Sequence, residues 1–232
     1  MNNSSNSNSM ANKSDSLTRR PKWNLTLVNF IFIALMSAAN VGIDLLLSPA
    51  FIAIFSHIVA GVLIMLPINF LFITLTKYIV NDWFGTSTIY MLIFGIIAAP
   101  TSFFGAIPGL YKILVGLVIG ILLDFVFLIR IPSIRPIFVG ILGSTVWWIA
   151  SFMVWTLFQF PYVTGFSNLF NAFWNISGFV SIPITGISYD LVKFALICGI
   201  TSSLPSILTC YIAFYIFQKI KPSAVYARFQ QM

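Results

Sequence analysis

Charge is the scarcest thing in this sequence. Only 7% of the 232 residues are Asp, Glu, Lys or Arg, while 59% are hydrophobic. A soluble domain carries roughly 25% charged residues, so the chain cannot cover a water-facing surface and is read as an integral membrane protein. Catalytic signatures are missing too. There is no Walker-type phosphate loop, so the chain cannot drive itself with ATP, and GxSxG, HExxH and CxxC are absent. Five acidic residues, with Asp15 in the Asn/Ser-rich N-terminal tail, leave little for a two-carboxylate hydrolytic site. These absences argue against an enzyme, and nothing in the pattern requires a cofactor.

Histidine occurs once, at position 57, which excludes a metal site built from several histidines. Cys198 and Cys210 are the only cysteines. On one helix, twelve residues is about 18 Å, too far for a disulfide, and they form no metal motif. The net charge of +7 is better explained by cytoplasmic loops of a membrane protein than by nucleic acid. No inverted repeat is evident in the hydropathy, which weakens a self-sufficient secondary transporter.

What is present is a series of apolar runs. Residues 1–22, rich in Asn and Ser, contain no apolar core and are expected to be a disordered cytoplasmic tail rather than a signal peptide. Residues 23–220 form the expected membrane domain, and 221–232 a short cytoplasmic tail. The expected fold is all-α with six transmembrane helices, near 24–47, 50–76, 86–104, 108–129, 135–159 and 187–218. Pro161 and Pro183 frame the aromatic-rich stretch 160–186, read as an outer surface loop, with a re-entrant span as the alternative. This stretch also holds the weak glycosylation sequon Asn175-Ile-Ser177.

Orientation follows from the basic residues. With both termini in the cytoplasm, Lys13, Arg19, Arg20, Lys22, Lys77, Arg130, Arg135, Lys219, Lys221 and Arg228 all lie inside, which is ten of the twelve. The exceptions, Lys112 and Lys193, join Asp44, His57 and Asp190 at the outer level. Ionisable groups inside a membrane are expensive and point to function, so Asp44, Lys112, Asp190 and Lys193 are candidates to line a solute pocket. Snorkelling to headgroups and a local Asp190–Lys193 pair is the plainer account. A lone His57 is more readily a packing residue than a ligand.

Trp148 and Trp155, seven apart on one helical face, can stack on a flat heterocycle or belong to an aromatic belt with Tyr162 and Trp174. Pro67, beside Asn69, and Pro100 predict kinks that free backbone groups. Asp124 lies about 18 Å below Lys112 on the same helix. It needs a partner on a neighbouring helix or the inner headgroups, and Lys77 and Arg135 lie at its level. Gly116 and Gly120 form a GxxxG pattern suited to close helix packing. Ala34 and Ala38, extended by Ala39 and Gly42, form a second small-residue face that can dock another membrane protein if it points to lipid.

Ala34-x-x-x-Ala38 and the run PGLYKILVGLVIGILLDFVF, Pro108 to Phe127, resemble the first and fourth helices of the substrate-binding S components of energy-coupling factor (ECF) transporters. The likeness covers residues 24–218 by topology and these two patches by motif. It implies capture of a vitamin-like small molecule in an outward pocket within the outer halves of helices 4 to 6, a lid between helices 1 and 2, docking of a membrane coupling subunit on Ala34 and Ala38, and cytoplasmic ATPases as the power source. Stretch 160–186 is longer and more aromatic than that family implies. The alternative is a non-catalytic accessory subunit of a multisubunit complex in the cell membrane.

Overall fold

The computed structural model describes residues 26–55, 57–80, 82–101, 109–129, 131, 134–157, 189–223 and 226–227. The N-terminal tail and stretch 160–186 lie outside them. For His57, Trp155 and Asp190, the description extends to the helical backbone and not to the side chain.

All regular structure among the described residues is helical, in six rods. α1 is Leu27–Phe55. α2 runs through His57–Ala60, a π-helical turn Gly61–Met65, and Leu66–Ile79. α3 is Thr86–Ala98 and α4 is Tyr111–Val126. α5 joins Arg135–Phe138, a second π-turn Val139–Gly143, and Ser144–Leu157. α6 is Tyr189–Ile220. Stretches in α1, α2 and α6 (Leu27–Phe51, Gly61–Ile79 and Ala195–Ile220) are long and apolar enough to cross a membrane.

Two boundaries differ from the sequence reading. α1 does not stop before Pro49 but carries it inside the helix. A proline removes one backbone donor and crowds the preceding turn, yet in an apolar solvent leaving the helix would strand more backbone groups than it rescues. α3 ends at Ala98, short of the expected 104, because Pro100 follows at once and Thr101 Oγ1 caps the Ala98 carbonyl at 2.7 Å.

Contacts between the rods close a ring in the order α1, α2, α6, α5, α4, α3 and back to α1. Phe70, Tyr90, Ile119, Leu123 and Val139 fill it and are almost wholly buried. The radial distribution of polarity is inverted. Leu35, Leu46, Ile200, Leu204 and Leu208 face outward, while Ser37, Asn40, Asp44, Asn69, Thr74, Lys77, Asp124, Ser144 and Ser206 face inward. A water-soluble fold puts its Leu and Ile inside. This arrangement is the one lipid selects, because polar side chains there find partners only within the protein.

Small residues let the rods approach. A Cβ on Gly95 of α3 would meet the Lys112 carbonyl at 2.6 Å, and one on Gly120 of α4 would meet Thr88 Cα at 2.6 Å. Gly116 sits against the Met91 backbone in the same way. α3 and α4 are thus packed backbone to backbone. Across the ring, Gly140 lies against Ile207 and Gly199 against Thr145, and Ser144 Oγ hydrogen-bonds Ser206 Oγ at 2.9 Å.

Candidate functional site

The charged residues fall into two kinds of environment. The first is the α3–α4 hairpin. Asp124 is buried near the end of α4, where one carboxylate oxygen accepts from Lys77 Nζ at 2.6 Å and from the Ser87 amide at 3.2 Å. Its other oxygen accepts from the Thr88 amide at 3.0 Å and Thr88 Oγ1 at 2.7 Å. Ser87 and Thr88 are in the first turn of α3. α3 has no side-chain cap of its own, since Gly85 with φ 98° precedes it. Asp124 therefore serves as an N-terminal cap supplied by another helix, with a negative charge at the positive end of the dipole. Lys77 also donates to the Trp83 carbonyl at 2.9 Å and lies over the Phe127 ring, 5.3 Å from its centroid.

The opposite end of α3 is treated in kind. Lys112, in the first turn of α4, donates from Nζ to the Ala98 carbonyl at 3.1 Å and to the Thr101 carbonyl. A cation thus meets the last carbonyls of α3. Lys112 and Asp124 are twelve residues apart, about 18 Å, which matches the 13-residue α3. The two charges of α4 address the two ends of one antiparallel neighbour.

Of the partners considered for Asp124, Lys77 is the one that binds it. Arg135 pairs instead with Asp82, Nη1 to Oδ2 at 2.6 Å. Asp82 reaches it from the turn between α2 and α3, in a left-handed backbone conformation of φ 56°. Arg135 also donates from Nε to the Ile129 carbonyl at 2.6 Å and lies over the Tyr78 ring.

The second environment lies between α1, α2 and α3. Asp44 is fully buried on α1, and neither carboxylate oxygen has a donor in hydrogen-bond geometry. The side chain of Asn69, from α2, lies beside it. Asn40, one turn before Asp44, donates from Nδ2 to Asn69 Oδ1, leaving Asn40 Oδ1 and Asn69 Nδ2 unpartnered. The Tyr90 hydroxyl of α3 lies near the Asn40 side chain, within electrostatic reach of Asp44, and is also unpartnered. Ser37 Oγ ties α1 to α3 below this point by donating to the Tyr90 carbonyl at 3.0 Å. Asp44, Asn40, Asn69 and Tyr90 are thus a buried polar set around a carboxylate that no basic side chain among the described residues meets.

Among the described residues, no ion pair or hydrogen bond joins Asp44 to Lys112. Trp148 is half-buried and packs on the core beside Trp147, whose ring meets Phe70 and Phe94 edge-on at 6.3 and 6.4 Å. Lys193 is exposed on α6. Cys198 and Cys210 are both buried and unbridged, and Thr74 Oγ1 is 3.4 Å from Cys210 Sγ. Ala38 and Ala39 are exposed on α1, Ala34 is half-buried, and a Cβ on Gly42 would meet nothing within 4 Å, so this small-residue face points outward. Asn40 and Tyr90 were not singled out by the sequence. Asn40 had a legible signal, one turn from Asp44 on the same face, whereas Tyr90 reads as an ordinary apolar-helix aromatic. No family model matches this chain, nor does any curated protein or solved structure.

Proposed function

We propose that this chain is the solute-binding subunit of a membrane importer of the ECF kind, with six spans and both termini in the cytoplasm. It captures a vitamin-like small molecule and relies on a membrane coupling subunit and cytoplasmic ATPases to move it. The observation that carries this reading is Asp44, a carboxylate held at 0% exposure among Asn40, Asn69 and Tyr90 without a basic partner among the described residues. A structural role alone does not explain such a residue, because an unpaired buried charge is costly and is retained in membranes mainly where something polar binds or passes. The outward small-residue face around Ala38 supports the coupling-subunit part of the reading, and the absent phosphate loop fits a chain powered by others. Mass spectrometry of small molecules co-purifying with the chain tests it. A bound solute that is lost from Asp44→Asn supports it, and a solute-free protein unable to bind any vitamin-class compound by calorimetry refutes it.

A second reading, an accessory subunit of a membrane complex, is favoured by one observation. Lys112, the basic candidate for the pocket, is engaged by the end of α3. Under this reading Ala38→Trp removes a partner subunit and no solute is found.

A further inference from the structure

We propose that the set formed by Asn40, Asp44, Asn69 and Tyr90 binds one monovalent alkali cation between α1, α2 and α3. The proposal goes beyond the solute reading and holds whatever the cargo is.

The uncompensated carboxylate leads to it. Asp44 Oδ1 and Oδ2, Asn40 Oδ1 and Tyr90 Oη are four buried oxygens without partners. Exchanging O and N in both amides keeps the Asn40–Asn69 hydrogen bond and moves the bare carbonyl to Asn69, so an unpartnered amide oxygen remains in either orientation. The available donors, three amide N–H and one phenolic O–H, can relax onto these oxygens, but they cannot cancel the carboxylate charge. A proton on Asp44 would cancel the charge and engage one acceptor. A bound cation would cancel it while engaging several oxygens together.

The chemistry of the set narrows the ion. Oxygen-only ligands suit hard cations. Among the described residues no three His, Cys, Asp or Glu side chains are grouped to hold a metal ion. A single carboxylate balances one positive charge and leaves a divalent ion half-neutralised in an apolar medium. The backbone nearby is also irregular. In α2 the Leu66 amide donates five residues back to the Gly61 carbonyl, opening a π-turn, and Pro67 follows with no N–H to give. In α1, Pro49 lies five residues beyond Asp44 and deprives the preceding turn of a donor. Broken helices of this sort are tolerated in membranes where their carbonyls have something to bind.

The test uses the full chain purified in nanodiscs, with unfolding temperature followed at constant ionic strength and pH in sodium, potassium or choline chloride. The expected result is a rise in Tm with the concentration of sodium or of potassium relative to choline, as mass action requires of a ligand bound by the folded state; whichever ion acts identifies the cation. Asp44→Asn abolishes the response. Tyr90→Phe, which keeps the ring and deletes Oη, shifts the half-effective concentration several-fold upward and serves if the first variant does not fold. Asp82→Asn, at the Arg135 pair, responds as the parent does. Equal Tm in all three salts overturns the proposal. So does an unchanged response in both site variants, or a Tm that follows pH and ignores the salt.

Discussion

Asp124 and Asp44 are both aspartates buried in the same helical ring, and they are opposites. Asp124 is met by a lysine, two backbone amides and a hydroxyl. Asp44 is approached by the Asn69 amide, and no basic side chain among the described residues meets it. A paired and fully hydrogen-bonded charge locks elements together, because removing either partner leaves the other exposed to a low dielectric. An unpaired one holds nothing in place and invites a ligand. In this molecule the two buried carboxylates are distinguished by their partners, not by residue type or depth.

The sharpest way to break the contrast is to neutralise each site in turn. Asp124→Ala strands Lys77 and the first turn of α3, with an expected loss of about 3–5 kcal/mol, read as the midpoint of denaturant unfolding in mixed micelles. Lys77→Ala should cost about the same, and the double variant Lys77→Met with Asp124→Leu should recover much of it, since apolar replacement of a whole buried pair is often tolerated. A double variant no better than the singles would mean that capping of α3, and not the ion pair, sets the stability. Next comes the seam between the paired ends. Gly116→Ala forces α4 away from the Met91 backbone, at about 1–3 kcal/mol, and should shift both charges off their targets. Lys112→Ala removes only the C-terminal cap of α3 and should cost about 1 kcal/mol or less. If Lys112→Ala also abolished solute binding at unchanged stability, the amine would belong to a pocket as well as to the cap. Asp44→Asn is the smallest: removal of an unpaired charge should leave stability unchanged or slightly raised in choline buffer.

The sequence made the helical rods legible because apolar runs of this length have few other outcomes. It also placed Lys77 and Arg135 at the level of Asp124 as possible partners, beside the inner headgroups. It could not choose between them. Asp82, which claims Arg135, sits in a short turn whose left-handed backbone at φ 56° redirects the side chain. The role of Lys112 was hidden for another reason. Its partners are carbonyls of Ala98 and Thr101, and backbone atoms leave no trace in residue types. Gly95 illustrates the same limit, since Gly116 and Gly120 announced a close approach while the helix they approach was not named by any pattern. The Asp44 set was half legible. Asn40 and Asn69 are polar residues in apolar helices, but the arrival of Tyr90 depends on the ring order of the rods.

The two capped ends of α3 also have a mechanical consequence. A glycine seam by itself permits sliding, since one smooth backbone track resembles the next. Anchors at Lys112 and Asp124 act as end stops, and a displacement of one turn would pull both away from their targets together. α3 and α4 therefore travel as a single stiff plank. Compliance is left to the remaining rods, α1 and α2 among them, where Pro49, Pro67 and the Gly61–Met65 turn interrupt the ladder, and those two carry Asn40, Asp44 and Asn69 on their inner sides.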